Sequence, residues 1–237
     1  MQETLLVWFS QHGRDLPWRG TRDPYAILVS EVMLQQTQVS RVVPRYLEWL
    51  DRWPTVESLA AASPADAIRA WQGLGYNRRG LALHRAARLV AEHGWPNDLT
   101  ELPGVGPYTA SAIGNFAFGQ PILPVDVNVG RVLSRSGGDF GPEAAQALFD
   151  LGATICLARV PRCGDCPLAR GCPSAGRRYE PARKQSPFEG SFRQRRARLL
   201  RRVATEPQPV EQDPQAVESL VADGLVVLDG GLATLPS

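Results

Sequence analysis

The sequence predicts an all-α protein that finishes in a small helix–hairpin tail. Segment after segment carries apolar residues at helical spacing behind a capping signal, and no alternating strand pattern occurs before Leu225. The connections are short and punctuated by Gly and Pro, so neighbouring helices must pack on one another. With 237 residues, 43% of them hydrophobic, the chain can bury a sizeable core as one large domain or two small ones. It has no run of about 18 apolar residues and no internal repeat. Its start, MQETLLVWFSQHGRD, lacks the basic region and cleavage site of a secretory signal. A cytoplasmic location with reduced cysteines is therefore expected.

Thr4–Gln11 reads as the first helix, stopping near Gly13. RDLPWRGTRDPY follows as a loop that sets Trp18 between Arg14 and Arg19, suited to a rim or to a substrate-facing edge. Asp23-Pro24 opens a strong helix, PYAILVSEVMLQQTQ, with Asp as N-cap and Pro at the first helical position. Glu31 shares a face with Ile27 and Leu34, and no Lys or Arg lies within a turn on that helix. A carboxyl in such surroundings holds its proton near neutral pH, as a general acid requires, unless a distant Arg or N–H partners it. Val39–Trp53 reads as a helix despite Pro44, and Thr55–Ala61 and Pro64–Gln72 as shorter ones. The loop GLGYNRRG then leads into a Leu81–His93 helix.

Leu102–Asp126 begins with a Pro-Gly turn whose Gly104 and Gly106 are free to take positive φ. Its N–H groups, with those opening a Tyr108–Phe118 helix, suit either an anion site or an ordinary loop between core helices. A helix from Asp126 or Val127 to Ser134 and another over Pro142–Leu157 complete this part. Cys156, Cys163, Cys166 and Cys172 fall as C-x6-C-x2-C-x5-C. Zinc sites favour two short Cys knuckles, and only one short pair is present, so four thiolates around a [4Fe–4S] cluster fit better.

Charge is unevenly spread. Arg177–Ala204 holds nine Arg and one Lys against Glu180 and Glu189, whereas Thr205–Ser237 has six acids and no base. The first stretch suits a polyanion and the second reads as a separate acidic element. FRQRRARLLRRV is a helix, Thr205–Pro214 a Pro-rich linker and Gln215–Asp223 a second helix. LVVLDGGLATL is a β-hairpin turning at Asp229-Gly230-Gly231, so the tail resembles a reduced winged-helix unit.

Taken together, SEVMLQQTQ, GLGYNRR, LPGVGPYTASAIG, VDVNVGRV and the cysteine cluster resemble the endonuclease III superfamily of DNA glycosylases, in its MutY-like adenine glycosylase branch, over about residues 5 to 180. The resemblance implies a two-lobed helix-hairpin-helix glycosylase fold with a [4Fe–4S] cluster loop. The expected division is a six-helix barrel lobe over 24–126, a cluster lobe from 1–23 with 127–180, and a basic linker helix with winged-helix-like tail over 181–237. It also implies roles. Glu31 matches the general acid that protonates the departing adenine, and Asp126 the carboxylate that stabilises the oxocarbenium-like sugar. Tyr108 and Asn128 match residues beside that intermediate. Gln36 matches the wedge that fills the gap left by base flipping, and Tyr76 a residue at the opposite base. Arg14, Trp18, Arg19, Leu34 and Gln146 match the adenine pocket. Gly104, Val105 and Gly106 match the hairpin on the DNA backbone, and the four cysteines match the cluster ligands. Two carboxyls would then divide the work as in other glycosidases.

Bifunctional relatives place a Schiff-base lysine where this chain has Tyr108, and Lys184 is the sole lysine here, so hydrolysis with little lyase activity is expected. The partner implied is double-stranded DNA carrying a mismatch or lesion, met by a monomer away from any membrane. Two departures stand out. Only about 50 residues remain where the branch carries a large domain that reads 8-oxoguanine, and the segment between Ser134 and Gln146 is much shortened. Mismatch thymine, uracil or hypoxanthine excision, and a non-catalytic DNA-binding cluster module, are the alternatives.

Overall fold

The computed structural model describes residues 1–180 and 187–237; Lys184, and with it the expected boundary near residue 181, lies outside them. In chain order the helices are α1 (Gln2–His12), α2 (Pro24–Leu34), α3 (Val39–Arg52), α4 (Val56–Ala60), α5 (Pro64–Ala70), α6 (Arg78–His93), α7 (Pro107–Phe116), α8 (Val127–Ser136), α9 (Ala145–Thr154), α10 (Phe192–Thr205) and α11 (Pro214–Ala222). The strands are β1 (Gln208–Pro209), β2 (Val227–Asp229) and β3 (Leu232–Thr234). The described residues form two compact units: 1–27 with 106–180, and 28–105 with 187–237. The breaks fall inside α2 and inside the 102–107 hairpin.

In the first unit α1, α8 and α9 close around Leu5, Val129, Val132, Phe140, Leu148, Leu151 and Leu168. Asp126 and Gly137, the latter at φ 64°, bound α8, so this helix has an acidic start and a left-handed stop. The shortened stretch after it becomes a loop and one 3-10 turn, Pro142–Ala144, before α9 begins. The expected Pro142–Leu157 helix is thus confined to Ala145–Thr154, because Pro142 opens a turn that closes on Gly141.

In the second unit, the capping signals read from the sequence do start α4 and α5: the Thr55 and Ser63 side chains accept from backbone N–H groups. Trp49 packs edge-on against Trp53 and Trp71, with ring centroids 4.7 and 5.6 Å apart. The tail does not stand apart. Ile68 of α5 and Leu81 of α6 share one core with Leu199, Leu200 and Val203 of α10 and with Val217, Leu220 and Val226.

The Pro-rich linker contains a strand that the sequence pattern hides: Gln208 pairs with Ala233 and Pro209 with Leu232. Proline survives there because β1 is an edge strand, the sheet order being β1-β3-β2. Together with the helix–strand–helix–hairpin order this is a winged-helix topology whose middle helix is reduced to the 3-10 turn Val210–Gln212.

Candidate functional site

The hairpin between the units takes its shape from one glycine. Gly104 sits at φ 82°, and a Cβ there would lie 3.0 Å from that of Ala82. Gly106, expected at positive φ too, is extended at φ −91° and serves as N-cap of α7 without a side-chain cap. Pro107 at the first position of α7 carries no N–H, so the helix opens on a residue with no donor to cap.

In the first unit the Asp126 carboxyl caps α8. Its Oδ1 accepts from Asn128 N at 2.8 Å and Val129 N at 2.7 Å, and its Oδ2 from Asn128 Nδ2 at 2.9 Å. Asn128 in turn accepts from Arg131 Nη2 at 2.8 Å, and Arg131 donates to Cys156 O and Gly152 O, each at 2.7 Å. Asp126 remains half-buried, so one fixed carboxyl edge is offered to a ligand. Gly152 matters for this alignment: a Cβ on it would meet Asn128 Cβ at 2.8 Å. Tyr108, on α7, lies edge-on to Phe149 with centroids 6.3 Å apart.

Arg14 and Arg19 are brought together, but on a residue the sequence reading passed over. Arg14 Nη2 and Arg19 Nη2 reach Asp150 Oδ1 at 2.7 and 2.6 Å, and Arg14 N donates to Oδ2 at 2.8 Å. The Asp150 side chain is 1% exposed. Burial alone would raise its pKa, yet the Arg19 and Arg14 hydrogen bonds outweigh it and hold the carboxyl below its ordinary value. Both arginines are thereby fixed in place with their charges answered, and Arg19 also lies 5.1 Å over the Phe9 ring. Trp18 and Gln146 are half-buried in the same unit. Asp150 follows Gln146 by four residues on α9, a helical spacing that could have flagged it.

Glu31 and Leu34 belong to α2 in the second unit, Glu31 only 6% exposed beside the fully buried Val32 and Met33. That is the setting expected from the apolar face. The two non-glycine residues with positive φ among those described are Gln36 (55°) and Tyr76 (46°), the expected wedge and opposite-base residues, both exposed. Arg79 holds both loops. It donates to Val32 O at 2.8 Å, Met33 O at 3.2 Å and Gln35 O on one side, and to Thr37 Oγ1 at 3.0 Å and Gly75 O at 3.1 Å on the other. Its guanidinium stands 5.4 Å over both the Trp71 and the Tyr76 rings. Burial pushes its pKa down to about 10, which still leaves it charged at neutral pH. Gln35 Nε2 donates to Gly104 O at 3.3 Å, tying the Gln36 loop to the hairpin. Glu31 and Asp126 lie in different units.

Cys156, Cys163, Cys166 and Cys172 line one pocket with about 320 Å³ of open space, together with Arg135 and Ile155. Among the described residues no three His, Cys, Asp or Glu side chains converge on a single-ion site; the thiols face a larger volume. Burial, then the neighbouring Cys156, Cys163 and Cys172 thiols, push the Cys166 thiol up. Four mutually sensed thiols around one cavity fit a polynuclear cluster. Arg135 braces their loop, donating to Leu157 O and Ala158 O at 2.7 Å and approaching Cys156 Sγ at 3.6 Å.

A hairpin on the N-terminus of one helix and a capping carboxyl at the next define a helix-hairpin-helix protein. A model of the HhH-GPD superfamily base excision DNA repair proteins matches residues 29–150, and the chain belongs to this family. Adenine DNA glycosylase of Mycobacterium tuberculosis is 40% identical over 282 aligned positions, covering 97% of this chain and 91% of that protein. The human adenine DNA glycosylase is also 40% identical, covering 71% of this chain but 38% of its own length. Among solved structures, a thermostable thymine-DNA glycosylase is 30% identical with a TM-score of 0.64, covering 73% of this chain and 94% of that one. A trapped endonuclease III–DNA covalent intermediate, 21% identical over 73% of this chain and 92% of its own, shares the fold at a TM-score of 0.63.

Proposed function

We propose that this protein is a monofunctional DNA glycosylase of base excision repair, which flips a mispaired adenine out of duplex DNA and hydrolyses its glycosidic bond. What carries the reading is the match to adenine DNA glycosylase along 97% of the chain at 40% identity. The residues supply a division of labour. Glu31, buried in α2, donates a proton to the leaving base. Asp126, its carboxyl aligned by Asn128 and two backbone N–H groups, stabilises positive charge on the sugar. Gln36 fills the vacated stack, Tyr76 meets the opposite base, and Gly104–Gly106 grip phosphate. Arg14 and Arg19 serve the adenine, as do Trp18, Leu34 and Gln146, but as a pair braced on Asp150 rather than as free cations. Tyr108 leaves no lysine for a Schiff base, so strand cleavage is minor.

The four cysteines would hold a [4Fe–4S] cluster, which when bound crosslinks their loop. The enzyme acts as a monomer in the cytoplasm, on the nucleoid of a prokaryote. The second reading, mismatch thymine excision, is favoured by Tyr108 with Asp126 and by the likeness to the thymine-DNA glycosylase. A single-turnover panel with A, T, U or hypoxanthine opposite G, 8-oxoguanine and T decides between them. Release of adenine is expected, lost in Glu31→Gln and Asp126→Asn. Release of T or U alone rejects the adenine reading, and no release of any base, with mismatch binding intact in both variants, rejects catalysis.

A further inference from the structure

The winged-helix tail has the wrong charge for the usual mode of its topology. In helix-turn-helix proteins the second helix of the motif enters the groove and reads base edges. Here that helix is α11, whose exposed positions are Pro214, Gln215, Glu218 and Ala222. The β2–β3 wing adds exposed Val227, Leu228, Asp229 and Leu232. Neither carries a base.

The arginines are on α10, and they are sorted. Arg195 pairs with Asp213 at 2.6 Å, and Arg196 with Asp223. Arg198, Arg201 and Arg202 are exposed and form no ion pair or hydrogen bond with a described side chain. At about 100° per residue these three fall within one stripe roughly opposite the buried Leu199, Leu200 and Val203. The tail is anchored beside the opposite-base loop. Arg69 Nε donates to Ala204 O at 3.1 Å, and Arg78, two residues after Tyr76, reaches Asp223 at 3.6 Å.

We propose that α10 is a second DNA-binding surface, in which Arg198, Arg201 and Arg202 contact the phosphate backbone of the duplex held at Tyr76, while α11 and the wing face away from it. The inference rests on the reading of this chain as a DNA-acting enzyme. Guanidiniums three and four residues apart lie about 5–6 Å from one another at Cβ, which suits successive phosphates on one strand.

The test is the salt dependence of binding to an undamaged 30-base-pair duplex, read by fluorescence anisotropy on the full chain. Each phosphate neutralised contributes about 0.9 to the slope of log K against log salt, so replacing all three arginines with Gln makes it shallower by about 2.7. Between 50 and 200 mM salt the wild type should then lose about 40-fold more affinity than this variant. Replacing the same residues with Lys keeps the slope, and the single-turnover excision rate at saturating enzyme stays within about twofold. Glu218→Arg leaves the slope unchanged. An unaltered slope in the Gln variant, or a steeper one in Glu218→Arg, overturns the proposal. Wild type that excises nothing but shows the slope change would sink the glycosylase reading and leave this one standing.

Discussion

Arg79→Met tests whether one guanidinium holds both the Gln36 and the Tyr76 loops. The substitution keeps most of the stem that packs on Trp71 and removes the donors. The contacts to Val32 O, Gln35 O, Thr37 Oγ1 and Gly75 O are lost. Hydrogen bonds from a charged donor contribute about 1.5–3 kcal/mol each, and the relief of burying the charge offsets part of the sum. A net destabilisation of about 3 kcal/mol is expected from urea unfolding. Gln36 and Tyr76 add a functional readout. Left-handed backbone costs about 1–3 kcal/mol per residue and persists only where the surroundings impose it. If each residue regains about 1 kcal/mol by relaxing, the insertion-competent population falls by about 30-fold, and the single-turnover rate on mismatched DNA with it. Arg79→Lys should rescue little, because an ammonium cannot span both loops as the planar fork does. A stability loss below about 1 kcal/mol in the Met variant, or wild-type rates in the Lys variant, would refute the bracing role.

Asp150→Asn leaves Arg14 and Arg19 unanswered in the first unit and should cost about 3–5 kcal/mol at pH 7 by denaturant titration. Because the folded carboxyl is held below its ordinary pKa, its contribution is complete above about pH 4 and fades as pH falls through the folded value. Wild type and variant should therefore converge in stability on acidification; a constant gap down to pH 2.5 would exclude the linkage. Asp126→Asn retains a good N-cap, so unfolding should shift by less than about 0.5 kcal/mol, while single-turnover excision falls by about 10²–10³. Equal losses of stability and rate would mean that the carboxyl is only a cap. Gly152→Ala forces a Cβ against Asn128 and should destabilise by about 1–3 kcal/mol in thermal melts, with excision reduced in step as Asn128 leaves Asp126. Buried His84, whose imidazole is held below its ordinary pKa by burial, should make wild type lose stability as pH falls through about 6.5, a slope absent in His84→Gln.

Local chemistry was legible where it is settled within one turn of chain. Asp23, Thr55 and Ser63 as caps, the buried face that holds Glu31, and the Asp229–Leu232 hairpin follow from residues a few positions apart. What the sequence leaves hidden depends on partners far along the chain. Arg14 and Arg19 read as pocket cations because nothing local names Asp150, more than 130 residues away. Gly106 reads like Gly104, yet only Gly104 takes the left-handed backbone; Gly106 is extended where α7 begins. The tail reads as a separate element because its charge is separate, but Ile68 and Leu81, remote in sequence, complete its core. The full-length match to the mycobacterial relative likewise includes 282 aligned positions against 237 residues here, so at least 45 positions are gaps in this chain.

In the first unit, α8 acts as a short strut. Its first turn holds Asp126 and Asn128, and the next turn rests Arg131 on the carbonyl of Cys156. A helix is stiff along its axis and rises about 1.5 Å per residue, so a residue added or lost between Asp126 and Arg135 would rotate one end by about 100° relative to the other. Length can change freely only past the left-handed stop at Gly137, where the loop to the 3-10 turn Pro142–Ala144 begins. The architecture thus separates a stretch of fixed register from one where evolution can trim, with Gly137 as the seam between them.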